Sequence, residues 1–137
     1  MKLAVAKQHV FDRFLDTWTG TSLSQVVFEN ESSTSLDSGS SAWIRVSVRE
    51  ITGGQRTLGS EGNRKFRRFA RAFIQVFTTP DTGCSSGFSL AEQARELFEG
   101  KSFEGLDFYN AQIDVLGMSG KWFYTLTQCD FNFDDTK

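Results

Sequence analysis

The sequence predicts an α+β fold, in which a mostly antiparallel sheet of about four to five strands carries an N-terminal helix and a second helix at about residues 89–99. Two patterns predict it. Apolar residues recur at three- and four-residue spacing near the start of the chain and again past its middle, which is the period of a helix packed on a core. Elsewhere apolar and polar residues alternate, which is the period of a half-buried strand. With 137 residues, the chain is expected to form one domain, 1–137.

Two apolar stripes define the predicted helices. The first helix is expected over residues 2–18, and its stripe consists of Val10, Phe11, Phe14, Leu15 and Trp18. The second is expected over residues 89–99, and its stripe consists of Leu90, Ala94, Leu97 and Phe98. Ser89 and Glu92 have the spacing of a capping box, so Ser89 is the predicted N-cap. Gly100 suits the left-handed position that follows a helix.

The predicted strands are short runs of β-forming residues. They cover 25–28, 43–51, a run from about Phe69 to Phe77, 101–103, 107–116 and 121–133. Pro80 ends the third run, because proline has no N–H to donate to a neighbouring strand. The turn at 117–120 joins the last two strands into a hairpin. Residues 30–41 are small and polar and are expected to form a loop.

Composition argues against several classes of function. The net charge is -2, so the chain as a whole does not attract nucleic acid or a membrane surface. Cys84 and Cys129 are the only cysteines, which favours a reducing compartment over a disulfide framework. Charged residues interrupt the beginning of the chain, which is unlike a signal peptide, and no run reaches about 20 apolar residues. We therefore expect a soluble intracellular protein without a membrane span.

The sequence shows no motif of catalysis or cofactor binding. His9 is the only histidine, which leaves no histidine-based triad and no histidine metal cluster. The glycines of residues 52–63 match neither the GxxxxGKS/T pattern nor a GxGxxG that opens a helix. We expect no enzyme activity, no metal and no cofactor.

Residues 52–63, TGGQRTLGSEGN, contain four glycines and no periodicity. Such a stretch predicts a flexible loop or the tip of a long hairpin. Its candidate functional residues are Gly53, Gly54, Arg56, Gly59 and Gly62.

Residues 64–71, RKFRRFAR, form a basic and aromatic segment whose structure the sequence leaves open. Phe66, Phe69 and Phe73 suit a helical face, whereas the β-forming residues that follow favour a strand, which we predict from about Phe69 onward. The charged residues are Arg64, Lys65, Arg67, Arg68 and Arg71. Basic residues between aromatics are typical of a small nucleic-acid-binding module, which contacts phosphates and stacks on bases. They also suit a solvated strand edge or pairing with a neighbouring subunit.

The order of these features resembles the tail terminator (tail completion) family of long-tailed bacteriophages. The resemblance covers nearly the whole chain. Its sharpest part is the strand IQVFTTP followed by DTG and the helix AEQARELFEG, and the next sharpest is the closing aromatic strand after Gly120. The segment RKFRRFAR departs from the family pattern, because it is more basic than expected there.

The resemblance implies a structural virion protein and no catalysis. Members of the family form a hexameric ring that sits on the last ring of the tail tube, ends tube polymerisation and offers the surface for head-tail joining. The implied partners are further copies of the chain, the tail tube protein and the head-tail connector protein, with passing contact to phage DNA and none to a membrane. The implied location is the virion tail, and the host cytoplasm during assembly.

A closed ring needs two different patches on each subunit, which meet on neighbouring copies. The sequence offers a charge-complementary pair of patches as a hypothesis. The basic patch consists of Arg64, Lys65, Arg67, Arg68 and Arg71, and the acidic patch consists of Asp130, Asp134 and Asp135. The glycine-rich loop 52–63 is the candidate segment that orders on contact with the tube or lines the lumen.

Overall fold

The computed structural model describes residues 1–21, 25–29, 42–79, 85–120 and 122–137. It contains the helices α1 (Leu3–Thr17) and α2 (Ser85–Phe98). The strands are β1 (Val26–Phe28), β2 (Ala42–Gln55), β3 (Lys65–Thr78), β4 (Ser102–Phe103), β5 (Leu106–Ser119) and β6 (Trp122–Thr136). The loop predicted at 30–41 and the strand end predicted at Pro80 lie outside the described residues, as does Cys84.

The α+β class is confirmed, but the expected sheet is corrected. One sheet of six strands has the order β1-β2-β3-β6-β5-β4 and curls into a half-barrel. It is mixed rather than mostly antiparallel with four to five strands, because β1 runs parallel to β2. A parallel neighbour needs a connection longer than a turn, and the 13 residues between Phe28 and Ala42 supply that length.

Both helices pack on one face of the sheet, and the core lies between the two layers. The first helix buries Ala6, Val10 and Phe14 completely, which confirms its predicted stripe in part. The second helix buries Ala91, Ala94 and Phe98 completely. Facing them, the sheet contributes the apolar residues of its inner positions, among them Ile44, Val46, Ile74, Val76, Phe131 and Phe133.

The predicted capping box at the second helix is wrong. The helix begins at Ser85, so Ser89 lies inside its second turn and has no free end of the helix to cap. The extra turn is possible because Gly87 lets the helix approach β6 closely: a Cβ at Gly87 would lie 2.9 Å from Thr125 Oγ1. Gly100 has a φ of +74°, which confirms its predicted left-handed position.

Strands β2 and β3 are both longer than predicted. The second strand continues through Gly53 and Gly54 to Gln55, and the third begins at Lys65 rather than near Phe69. The helical alternative for residues 64–71 is therefore wrong. Fourteen-residue strands pair along almost their whole length, and this cross-strand pairing overrides the low strand propensity of glycine.

None of the described helices is long and apolar enough to cross a membrane.

Candidate functional site

The candidate site is the sheet face opposite the helices, together with the hairpin that β2 and β3 form. We call them the open face and the β2–β3 hairpin. Residues 69, 71, 73 and 75 of β3 alternate with the buried Ala70, Ala72 and Ile74, so they lie on the open face. On β6 the open face carries Leu126, Gln128, Asp130, Asn132 and Asp134.

Two arginines of β3 bind two aspartates of β6 across this face. Arg71 and Asp130 are opposite each other in the strand register, and so are Arg67 and Asp134. The Nε of Arg71 lies 2.6 Å from Asp130 Oδ1, and the Nε of Arg67 lies 3.3 Å from Asp134 Oδ1. Opposite charges directly across two antiparallel strands stabilise their pairing. Four of the eight charges in the two proposed patches are thus paired with each other within one chain.

Asp134 also holds the β2–β3 hairpin. Nη1 of Arg56, just beyond the end of β2, lies 2.6 Å from Asp134 Oδ2. The Asp134 carboxylate therefore bridges Arg56 and Arg67 and ties both sides of the hairpin to β6. Burial alone raises the pKa of Asp134, but the hydrogen bonds and charges of Arg67 and Arg56 outweigh it and leave this pKa below its ordinary value.

Hydrogen bonds also stabilise the Arg71–Asp130 pair. The hydrogen bond to Asp130 raises the pKa of Arg71 despite the opposing effect of burial. Arg71 Nη1 also lies 3.4 Å from Gln128 Oε1. The raised pKa keeps the Arg71 guanidinium charged over the whole physiological range, which suits a structural tie between the two strands.

Backbone bonds extend the sheet to the base of the hairpin tip. The N–H of Arg64 donates to the carbonyl of Lys137 at 2.8 Å, and the N–H of Lys137 donates to the carbonyl of Arg64 at 2.7 Å. The N–H of Arg56 donates to the carbonyl of Lys65 at 2.7 Å. The hairpin is thus anchored by β6 on one side as far as residue 64, and only residues 58–63 lie beyond the cross-strand hydrogen bonds.

The tip is a compact turn that presents one apolar side chain. The N–H of Asn63 donates to the carbonyl of Ser60 at 3.0 Å, and Arg64 Nε donates to the carbonyl of Gly59 at 2.9 Å. Gly62 has a φ of +92°, a conformation that side chains disfavour. Leu58 is 95% exposed. The stretch 52–63 is thus partly strand and partly hairpin tip, which confirms the hairpin alternative over an irregular loop.

The remaining predicted site residues take no part in the Arg67–Asp134 and Arg71–Asp130 pairs. Arg68 points away from the open face, and its Nε lies 3.9 Å from Glu50 Oε1. Gly53 makes room for it, because a Cβ there would lie 2.8 Å from Arg68 Nη1. Asp135 is 7% exposed on the helix side, where the amino group of Met1 lies 3.6 Å from its Oδ1. Lys65 is exposed at the base of the tip.

This arrangement weakens the nucleic-acid interpretation of the basic segment. Phosphate binding needs cationic side chains that are free to exchange counterions. Arg67 and Arg71 are bound to aspartates, and Arg68 faces Glu50, so most of the local positive charge is neutralised inside the chain. The nucleic-acid-binding module and the role of these charges between subunits both stay predictions.

Two β-bulges lie at the same level of the sheet, and neither was predicted from the sequence. One interrupts β2 between Glu50 and Thr52, and the other interrupts β5 between Phe108 and Asn110. The extra residues are Ile51 and Tyr109, and both line a cavity of about 200 Å³ beside the Arg71–Asp130 pair. Burial in this cavity, with the charge of Asp130, raises the pKa of the Tyr109 hydroxyl. Ile51 breaks the apolar alternation of β2, and this is the one signal by which its bulge could have been predicted.

Four aromatic side chains cover the far end of the open face. The Trp43 and Phe77 rings stack with centroids 4.1 Å apart, and the Phe77 and Tyr124 rings stack at 5.0 Å. Trp122 meets Trp43 edge-on at 6.4 Å. The Arg45 guanidinium lies over the Trp43 ring, 5.1 Å from its centroid. This cluster gives the open face a second, smaller core.

The described residues contain no group of three or more histidine, cysteine, aspartate or glutamate side chains arranged to hold a metal ion. The thiol of Cys129 is completely buried on the helix side of β6. Burial, with the charges of Glu99 and Asp130, raises its pKa to about 12. Such a thiol stays protonated at neutral pH and is a poor nucleophile.

Comparison with known proteins shows the fold and no family. No protein-family model matches the chain, and no curated protein matches it. Eleven chains of solved structures do match. One of them aligns with a TM-score of 0.63 at 13% sequence identity, over 97% of this chain and 96% of its own length. At that identity the match establishes a shared architecture over the whole domain and says nothing about function.

Proposed function

We propose that the chain is a structural virion protein of a long-tailed bacteriophage, which caps the tail tube as a ring, ends tube polymerisation and provides the surface for head-tail joining. It acts by shape and makes or breaks no covalent bond. Its partners are other copies of the chain, in a hexameric ring, the tail tube protein and the head-tail connector protein. It resides in the virion tail after assembly in the host cytoplasm.

The observation that carries this proposal is the braced β2–β3 hairpin. A protein that stops a polymer needs a rigid element that reaches beyond its own body to the last subunit. The hairpin has that form, because Asp134 ties Arg56 and Arg67 to the central strand β6. Its tip ends in Leu58, whose side chain contacts almost nothing in its own chain. An exposed apolar side chain on a rigid support is a typical anchor for a protein partner.

The resemblance noted in the sequence supplies the identity of the polymer. The features that carry it are the strand before Pro80, the following helix and the closing hairpin. Within the described residues these features form β3, α2 and the β5–β6 hairpin. Strands β3, β6 and β5 are neighbours in the sheet, and α2 packs on the sheet.

The direct test is to delete the coding sequence from the phage or prophage that encodes it. The expected result is tail tubes of irregular and excessive length that fail to attach to filled heads, seen by electron microscopy. Tails of normal length that still join heads would refute the proposal.

A point variant tests the hairpin tip. Leu58→Asp should leave the fold intact, because the side chain is 95% exposed, and should abolish capping when purified protein is added to tail tubes. Leu58→Met is the matched control and should cap as the wild type does, because it keeps an apolar side chain of similar volume. Capping is measured by the length distribution of the tubes. Equal lengths with Leu58→Asp and with wild type would remove the tip from the tube contact.

A further inference from the structure

We propose that neighbouring copies of the chain join edge to edge: β5 of one copy lies antiparallel to β1 of the next, so that the sheet continues from copy to copy and Asp114 lies in the same row as Arg45, one strand beyond Val27. This inference rests on the ring of the proposed function and names the surface that closes it. The partner is a second copy of this chain, and the contact is heterologous.

The first argument is that both edges of the sheet are open among the described residues. The short strand β4 pairs only with Leu106 and Asp107, so β5 from Asn110 onward has β6 on one side and no described strand on the other. The N–H of Ala111 points outward, because it donates to Glu99 Oε2 at 2.9 Å. By the alternation of a strand, the N–H groups of Ile113 and Val115 point outward too. At the other edge, no described strand pairs with the outer side of β1.

The second argument is that the two open edges lie at the same level and run in opposite directions. Val27 is paired with Arg45, and from Arg45 the same row crosses the sheet to Asp114 on β5. The directions follow from the pairings. Strands β1, β2 and β6 all run in the same direction, and β5 is antiparallel to β6, so β5 is also antiparallel to β1. Rotation about an axis along the strands therefore brings β5 beside β1 as an antiparallel neighbour, without a shift along the axis.

The third argument is that apolar side chains match across the joint on the helix face. On the helix face, Val26 and Phe28 of β1 lie in the same rows as Val115 and Ile113 of β5, so apolar side chains would meet apolar side chains across the joint. Val115 is 45% exposed in the single chain. Its exposure would fall in a continuous sheet, which gives the joint a hydrophobic contribution.

The fourth argument is charge, and it decides between a ring and a two-fold dimer. Residues 102–120, which contain β4 and β5, carry Glu104, Asp107 and Asp114 and no lysine or arginine. The open-face side of β2 carries Arg45 and Arg49, and neither has a carboxylate partner among the described residues. Two β5 edges would set acid against acid, whereas β5 against β1 and β2 sets acid against base. The heterologous contact is the favoured one, and repeated rotation closes it into a ring.

The test is a charge swap on the purified chain, measured by sedimentation velocity from about 1 µM to about 1 mM. Asp114→Arg and Arg45→Asp should each weaken self-association by about tenfold or more, which corresponds to about 1.4 kcal/mol. The double variant should restore it to within about threefold of wild type. Asp114 also accepts hydrogen bonds from Gln112 and Gln128, but a loss of these contacts cannot be rescued by a change at residue 45.

A second swap tests whether neighbouring copies are displaced along the strands. Arg49→Asp should not rescue Asp114→Arg, because a stagger of four residues along the strands would turn the ring into an open helix. Glu96→Arg, on the exposed side of α2, is the matched control and should leave self-association unchanged. Thermal unfolding checks that every variant is folded.

Three results would overturn the inference: a chain that stays monomeric at about 1 mM, a two-fold dimer as the only assembly, or a reversal at 114 that Arg45→Asp does not rescue. These failures are distinct from failure of the proposed function. A phage that lacks the chain and still terminates its tails refutes the function, whatever the joint. If the charge-reversal variants still form rings on tail tubes, the proposed joint is refuted and the proposed function is not.

Discussion

Asp134 offers the sharpest test of how the β2–β3 hairpin is held. Replacing it by asparagine keeps the size of the side chain and removes its charge. Two ion pairs are lost, one with Arg56 at 2.6 Å and one with Arg67 at 3.3 Å. The Asp134 side chain is 30% exposed and the arginines are 47% and 34% exposed, so solvent screens both pairs. At about 0.5–1 kcal/mol for each pair, the free energy of unfolding should fall by about 1–2 kcal/mol.

The assay is urea unfolding of the wild type and of Asp134→Asn. With a slope of about 2 kcal/mol per molar urea, the midpoint should fall by about 0.5–1 M. Asp107→Asn is the matched control, because Asp107 is exposed and forms no ion pair among the described residues, and its effect should stay within about 0.5 kcal/mol. Hydrogen exchange shows which part of the chain loses stability in Asp134→Asn. The amides of Arg56 and Arg64 should exchange faster in Asp134→Asn, while the amides of α2 should not.

The same carboxylate predicts a dependence on pH. Its pKa is lowered in the folded chain, so its contribution to stability is complete above the ordinary aspartate pKa of about 3.9 and is lost as the pH falls through the lowered folded value. Wild type and Asp134→Asn should therefore converge in stability in strong acid and separate near neutral pH. Equal stability at pH 7 would refute the bracing role, and so would a gap that persists unchanged in acid.

Three further predictions concern stability and the buried thiol. Gly54→Ala should stabilise the chain by about 0.5 kcal/mol, because a Cβ there meets no atom within 4 Å. Gly53→Ala should destabilise it, because its Cβ would lie 3.2 Å from the carbonyl oxygen of Arg67, and urea midpoints that shift in the same direction for both variants would contradict this. Phe131→Ala should lower the free energy of unfolding by about 3–5 kcal/mol, and Phe131→Leu by clearly less, since the ring is completely buried; a loss below about 1 kcal/mol for alanine would place Phe131 outside the core. Cys129 should resist maleimide at pH 7 in the folded chain and should react once the chain is unfolded. Peptide mapping checks this, and label found on Cys129 of the folded chain would contradict it.

Local patterns were sufficient to predict that the helices and the closing hairpin form, but the predicted turn at 117–120 is wrong, because β5 continues to Ser119, which pairs with Trp122. The stripe of Val10 and Phe14 has the helical period, and both residues are buried. The alternation of Cys129, Phe131 and Phe133 has the strand period, and these three side chains are buried on one face of β6. In both cases the physics is local, because burial of one face demands apolar residues at one period.

Pairing between distant segments was not predictable in the same way. Nothing in the composition of 52–63 shows that Gly53 and Gly54 pair with Arg68 and Arg67, since the register depends on both strands. The capping box failed for a related reason: Gly87 extends α2 by fitting against Thr125, which is 38 residues away in sequence. The short parallel strand β1 was predicted as a strand, but its direction depends on a neighbour that the local sequence does not identify.

The candidate site was predicted in its residues and not in its pairing. The basic and acidic residues were predicted as charge-complementary patches on neighbouring subunits, and that role stays a prediction. The register then sets Arg71 opposite Asp130 and Arg67 opposite Asp134 within one chain. Asp135 was grouped with its neighbour, but successive residues of a strand face opposite sides, so it lies near Met1 on the helix side instead.

The order of the sheet divides the chain into two segments of similar build. Residues 1–79 supply a helix and the strands β1, β2 and β3, and residues 85–137 supply a helix and the strands β4, β5 and β6. Each set is arranged outward from a single seam, where β3 meets β6 along fourteen residue pairs. A polypeptide severed between Thr79 and Ser85 should thus reassemble from its two fragments, each bringing one helix and one side of the seam. The same seam makes completion of the domain wait for β6, so a nascent chain that has produced only the first segment still exposes the edge of β3 that β6 will occupy.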